Sequence, residues 1–143
     1  MPRLSETIER KVSFHDLDAM GVVWHGHYLL YMEEAREAFL NKYGTGYMQM
    51  LDAGYFEPIT HLDLNYKGSF VYGDQMRIEI EYEPSYKACI IFKYRFFRVS
   101  DGKLMTEATT TQHFVTKESR ELELLRPDFY REWQEKWHVF DDE

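Results

Sequence analysis

One stretch, residues 14–43 (FHDLDAMGVVWHGHYLLYMEEAREAFLNKY), constrains everything around it. Two carboxylates two residues apart, Asp16 and Asp18, precede Gly21, an apolar step of Val22, Val23 and Trp24, and the turn His25-Gly26-His27. A helical pattern begins only there. Tyr28, Tyr31, Met32, Ala35, Phe39 and Tyr43 recur at three- and four-residue spacing, while Glu33, Glu34, Arg36 and Glu37 fall mostly between them. One long helix with one wide apolar stripe needs a cover. Its start also leaves backbone N–H groups without intrahelical acceptors and carries roughly half a positive charge, so the His25-Gly26-His27 turn offers donors to an oxygen that becomes negative. Asp18 lies close before it in the chain.

The cover is legible as alternation. Residues 7–14 place Ile8, Arg10, Val12 and Phe14 on one face, a strand that delivers the chain to Asp16. After the helix, Gly44-Thr45-Gly46 supplies residues that tolerate a left-handed helix end, and residues 47–52 form a short helical turn over one edge of the pocket, broken by Ala53-Gly54. Residues 58–67 form a second strand with Leu62, Leu64 and Tyr66 on one side. Residues 75–83 alternate most cleanly, Met76, Ile78, Ile80 and Tyr82 against Arg77, Glu79 and Glu81. Residues 86–99 then put Ile90, Phe92, Tyr94 and Phe96 on one face. Asp101-Gly102 predicts a type I′ hairpin, and residues 104–116 return as a threonine-rich strand. Three long strands joined by short turns make an antiparallel meander.

In the tail, residues 118–143, Pro127 opens a helix whose Phe129, Tyr130, Trp133 and Trp137 dock it on the sheet, and Asp141-Asp142-Glu143 fray. With no repeat or low-complexity tract, residues 1–143 read as one α+β domain: a curled antiparallel sheet of about five strands around one central helix. Its exposed edge strand favours pairing with a second copy.

Composition narrows the function. A net charge of -8 argues against a nucleic-acid surface, although local cations and a helix start can still hold an anionic ligand. Aromatic residues make up 17%, which suits sheets packed on a helix and an extensive subunit interface. A single cysteine forms no intrachain disulfide, no apolar run approaches the ~20 residues of a membrane-spanning helix, and the first residues lack a signal-peptide core. A cytoplasmic protein without membrane insertion is expected.

Asp18 can act as a catalytic carboxylate or as a turn residue; Asp16 is expected to be a structural acceptor that pins the turn, solvated or hydrogen-bonded away from Asp18. His25 and His27 near two aspartates could begin a metal set, but no third ligand follows at a suitable spacing, so no metal or other cofactor is expected. Cys89, at the start of an apolar strand, reads as packing. His61 and His113 read as ordinary hydrogen-bonded strand histidines.

The run from Asp16 to Tyr28, Asp-Leu-Asp-Ala-Met-Gly-Val-Val-Trp-His-Gly-His-Tyr, resembles the signature of the hotdog-fold acyl-CoA thioesterases, in particular the 4-hydroxybenzoyl-CoA thioesterase and YbgC-like branch. The resemblance implies a sheet wrapped around a central helix, hydrolysis of an acyl-CoA substrate, Asp18 as the catalytic carboxylate and the His25 backbone N–H as the group that polarises the thioester carbonyl. Gly21, Val22, Val23, Trp24 and Gly26 fall beside the substrate, with the two glycines allowing close approach to the backbone. It also implies a homodimer with sites at the subunit interface, and homotetramers are common. Lys67-Gly68-Ser69-Phe70 departs from the pattern, standing where many such proteins have a proline-containing turn. Lys67, Arg77, Lys87 and Lys93 are candidate cations for CoA phosphates, and no spacing rule selects among them. The alternative is a hotdog domain that binds an acyl thioester or a protein partner without turnover; hydratase chemistry on the same fold uses a different Asp and His arrangement.

Overall fold

The computed structural model describes residues 4–141. Strand β1 (Ser5–Lys11) leads through one 3-10 turn (Phe14–Asp16) to helix α1 (His27–Tyr43) and the short helix α2 (Tyr47–Asp52). Strands β2 (Tyr55–Phe56), β3 (Ile59–Tyr66), β4 (Gln75–Glu83), β5 (Cys89–Arg98), β6 (Leu104–His113) and β7 (Val115–Thr116) follow, and helix α3 (Asp128–Lys136) closes the chain. Five strands form one antiparallel sheet in the order β1-β4-β5-β6-β3, and β2 pairs with β7 in a separate ribbon.

The alternation of β4 and β5 decides which face meets the helix. Met76, Ile78, Ile80 and Tyr82 of β4 and Ile90, Phe92, Tyr94 and Phe96 of β5 are buried in one cluster with Tyr28, Tyr31, Met32, Ala35, Phe39 and Leu40 of α1. The rings meet edge to face, Phe39 with Phe92 at 4.9 Å and Tyr28 with Phe96 at 5.3 Å between centroids, the geometry that aromatic quadrupoles favour. This is the expected α+β hotdog arrangement, one helix in the grip of a five-stranded antiparallel sheet.

Several expectations change in detail. The first strand ends at Lys11, and Phe14 is exposed, because the chain leaves the sheet and tightens into the 3-10 turn. Arg36 is buried rather than on the polar side of α1; its guanidinium donates to the Tyr47 hydroxyl (3.3 Å) and to the Tyr94 hydroxyl (3.1 Å), and Tyr94 in turn contacts Thr110 Oγ1 at 2.7 Å. Buried phenols thus stand in for the water the guanidinium loses. The hairpin after β5 is not a type I′ turn: only Gly102 has a left-handed φ (71°), and Asp101 instead accepts from Arg98 and from the Lys103 N–H. Residues 104–116 do not form one strand, since β6 ends at His113 and β7 peels off to pair with β2.

Gly44 closes α1 in the left-handed conformation (φ 79°), its N–H on the Leu40 carbonyl, as the glycine after the stripe predicts. Helix α3 starts directly after Pro127, and Trp133 is buried against Phe39 and Tyr82. Of the expected frayed end, Asp142 and Glu143 lie outside the described residues. None of the described helices is long and apolar enough to cross a membrane.

Candidate active site

Between β1 and α1 the chain doubles back on itself. Leu17 bridges Val23, the Asp18 N–H donates to the Val22 carbonyl (2.8 Å) and the Gly21 N–H returns to the Asp18 carbonyl (3.0 Å). Gly21 takes a φ of 80°, where a Cβ would be strained, so the turn requires glycine at that position. The Val23 N–H donates to the Phe70 carbonyl and the Trp24 N–H to the Asp16 carbonyl (2.9 Å). That last bond ties the residue before His25 to the residue two before Asp18.

The two aspartates have different surroundings. Asp16 is buried; one carboxylate oxygen accepts from the Ser13 N–H (2.9 Å), and the other lies 3.5 Å from His15 Nε2. It is the pin of the turn, held out of water rather than solvated. The buried Tyr31 hydroxyl faces it; burial, with the Asp16 charge next in effect, raises that phenol well above its ordinary value. Arg10 lies over the Tyr31 ring and pairs with Glu34, which accounts for a cation on the inward side of β1. Asp18 is only half-buried, and its Oδ1 accepts from the Met20 N–H (2.8 Å). The carboxylate is oriented by the turn and still open.

Helix α1 begins without a side-chain cap and with no acid in its first turn. Among the described residues the His25 and Gly26 N–H groups donate to no backbone or side-chain acceptor. The His25 carbonyl accepts from the Tyr66 hydroxyl (3.0 Å), which fixes the peptide from the β3 side. The Trp24 indole lies over Gly26 so closely that a Cβ there would come within 2.3 Å of the ring, and it also meets His25 and His27 at 5.1 and 5.6 Å between centroids. Glycine at 26 therefore lets an aromatic wall lie on the helix start. Val22 bridges Val71 and is half-buried, while Val23 is core.

The expected residues from Asp16 to His27 thus form one hydrogen-bonded unit at the helix start. No three of the described His, Cys, Asp or Glu residues are grouped to hold a metal ion. The candidate cations spread out: Lys67 pairs with Glu107, Arg77 with Glu79 and Lys93 with Glu83. A hollow of about 700 Å³ on the sheet, lined by Thr7, Asp63, Glu79, Lys93, Arg95 and Glu107 among others, does not include Asp18 and carries both signs of charge. The Lys67-Gly68-Ser69-Phe70 turn is built without proline: the Lys67 and Gly68 N–H groups share the Met105 carbonyl, and Phe70 is buried.

Residues 12–133 match the Thioesterase-like superfamily. The chain belongs to that family. It is 28% identical over 131 residues to the Bacillus subtilis protein named "Putative acyl-CoA thioesterase YneP", covering 92% of this chain and 91% of that one. It is 26% identical over 126 residues to a 1,4-dihydroxy-2-naphthoyl-CoA hydrolase of Thermosynechococcus vestitus, covering 87% and 85%. Among solved structures, a DHNA-CoA thioesterase from Staphylococcus aureus superposes with a TM-score of 0.83 at 26% identity, covering 95% of this chain and 90% of that chain. The hotdog thioesterase fold inferred from the Asp16 to Tyr28 motif is therefore shown.

One further group was not singled out by the sequence reading. Glu57, between β2 and β3, has a carboxylate oxygen buried without a hydrogen-bond partner. Burial pushes its carboxyl up to about 7 from an ordinary 4.5. Between those values the folded protein holds a proton that the unfolded chain has released, so stability falls as pH rises from about 4.5 through about 7. Partial exposure screens the effect to the order of 1 kcal/mol. Glu57→Gln is expected to raise the melting temperature at pH 8 and leave it unchanged at pH 4, which thermal unfolding at the two pH values would measure.

Proposed function

We propose that the chain hydrolyses acyl-CoA thioesters to free acid and CoA at the start of α1, with Asp18 as the catalytic carboxylate and the His25 N–H as the oxyanion donor. The observation that carries this reading is an open carboxylate on a glycine turn hydrogen-bonded back to a helix start whose His25 and Gly26 N–H groups have no acceptor among the described residues. The His25 N–H polarises the thioester carbonyl. Asp18 then either attacks the carbonyl carbon, expelling CoA thiolate and leaving an anhydride that water cleaves, or takes a proton from the water that attacks. A thiolate leaves without help from a strong general acid, and none is needed beside it. Gly21, Val22, Trp24 and Gly26 line the approach, and Val23, buried in the core, supports them from beneath.

The active form is a homodimer, with a homotetramer as pairs of dimers. Strand β3 ends the sheet with no partner on its outer side among the described residues, and Ile59, Leu62 and Tyr66 on it are exposed. Trp24, Leu29 and Leu30 at the helix start are exposed as well. A second copy would cover both sets. A single domain acting in the cytoplasm fits the free, buried Cys89. The experiment is thiol release from a panel of aromatic and aliphatic acyl-CoAs by purified protein. Steady release is expected; tight binding without release would sink the hydrolase reading.

A further inference from the structure

Two successive peptides, Trp24–His25 and His25–Gly26, lead into α1, and each is held by its carbonyl. The Trp24 carbonyl accepts from the His27 N–H (2.9 Å), a bond that the backbone makes for itself and that steadies the His25 N–H. The His25 carbonyl has no such help. The Leu29 N–H, the donor an α-helix would offer it, goes to the Gly26 carbonyl instead (3.3 Å). Its partner is a side chain from the far edge of the sheet, the Tyr66 hydroxyl, which donates to it at 3.0 Å.

That carbonyl belongs to the peptide unit whose N–H is that of Gly26. The unit is trans and planar, so its C=O and N–H point to opposite sides of one rigid plane. Pinning the oxygen toward β3 therefore fixes the direction of the Gly26 N–H, which has no acceptor among the described residues. A hydrogen bond accepted at the oxygen also polarises the amide and makes its N–H the stronger donor. The position of Tyr66 is itself well determined. It is the last residue of β3, in register with Thr106 of β6, and just beyond it the Lys67 and Gly68 N–H groups hold the Met105 carbonyl. Its ring meets the buried Tyr28 edge to face at 5.1 Å between centroids. That packing needs only the ring; the oxygen serves the His25 carbonyl. Burial raises the phenol above its ordinary value, which keeps it a donor at neutral pH.

We propose that Tyr66 is a positioning residue for the hydrolysis: its hydroxyl aims and polarises the His25–Gly26 peptide, so that the Gly26 N–H joins the His25 N–H as a second donor to the oxyanion. The inference rests on the thioesterase reading and deepens it. As an oxygen of Asp18 or of water adds to the thioester carbon, the carbonyl π pair moves onto its oxygen, and the two N–H groups share that charge. When the C–S bond breaks, the pair returns to re-form the carbonyl and CoA leaves as thiolate. Tyr66 keeps its proton throughout and touches no reacting atom.

Tyr66→Phe keeps the ring and removes the donor. For whichever acyl-CoA of the panel the wild-type protein cleaves, it is expected to lower kcat by about tenfold, less than the ~10²-fold that outright loss of an oxyanion donor brings, with KM within about twofold. Two further readouts respond to the hydrogen bond and not to stability. Replacing the Gly26 amide by an ester, Gly26→glycolic acid, deletes the N–H itself; kcat should fall by about 10²-fold, and Tyr66→Phe added to it should cost no more than about twofold, because the donor it served is gone. Tyr66→3-fluorotyrosine and Tyr66→3,5-difluorotyrosine keep ring and hydroxyl but acidify the phenol. With each fluorine the alkaline limb of the kcat–pH profile should move toward neutral pH, where the ionised phenol no longer donates. A Tyr66→Phe kcat within about twofold of wild type, an undiminished Tyr66→Phe loss on the ester background, or an alkaline limb indifferent to fluorination each overturns the proposal and leaves the hydrolase reading intact. Failure of the wild-type protein to cleave any acyl-CoA overturns both.

Discussion

Asp18→Asn is expected to lower kcat for acyl-CoA hydrolysis by at least about 10²-fold, with fold and oligomeric state preserved. Removing one well-placed oxyanion donor costs about 3 to 4 kcal/mol of barrier, and a carboxylate that attacks the carbonyl or activates water contributes at least as much. Asparagine suits the test because its side-chain oxygen can still accept from the Met20 N–H, the bond that holds the turn. Asp18→Ala breaks that bond as well and confuses orientation with chemistry. Asp16→Asn is the instructive contrast. Asp16 is buried beneath the turn on the Ser13 N–H and beside Tyr31, so its replacement disturbs the folding of the loop before it disturbs the reaction. Thiol release under saturating substrate, with unfolding curves on the same preparations, separates the two. Near-wild-type turnover in a folded Asp18→Asn protein would remove Asp18 from the chemistry.

The motif from Asp16 to Tyr28 was readable because its parts are local. A glycine with positive φ, an Asx bond across two residues and a helix start all depend on near neighbours in sequence. Strand β4 was readable for a related reason: one face buried and one half-buried leaves a period of two, and residues 75–83 carry it without exception. Features set by distant partners were not. Arg36 has the residue type of a solvated helix face, and only the Tyr47 and Tyr94 hydroxyls, brought in from α2 and β5, make its burial tolerable. The β2–β7 ribbon is two residues wide on each side, too short for any alternation to register. Glu57 left only a faint trace, a single acid within the apolar run Tyr55-Phe56-Glu57-Pro58-Ile59. Its significance depends on α2, β7 and Arg120 closing around it, which no local pattern encodes.

Trp133→Ala is expected to destabilise the protein by about 3 to 5 kcal/mol, the cost of deleting a large buried aromatic side chain, and to lower the melting temperature by roughly 10 °C or more. A nine-residue helix has little stability alone, so α3 exists because it docks. Trp133 is central to that docking. Its ring packs on Phe39 of α1 and edge-on to Tyr82 of β4, and its Nε1–H donates to the Tyr43 carbonyl (2.9 Å), the acceptor also used by Trp137 Nε1 (3.0 Å). Tyr43 is the last residue of α1, where backbone carbonyls lose their intrahelical donors, so the two indoles satisfy the end of the central helix. The Tyr43 hydroxyl donates to the Ser5 carbonyl, which joins α3, α1 and the first strand in one connected unit. Trp133→Phe keeps most of the packing and leaves Trp137 on the carbonyl, so its loss should be about 1 kcal/mol. The difference between the two substitutions measures packing against hydrogen bonding. Both act at the end of α1 opposite His25, so kcat at 20 °C should stay within twofold of wild type; a stability loss below 1 kcal/mol in Trp133→Ala would show that α3 covers the core without holding it.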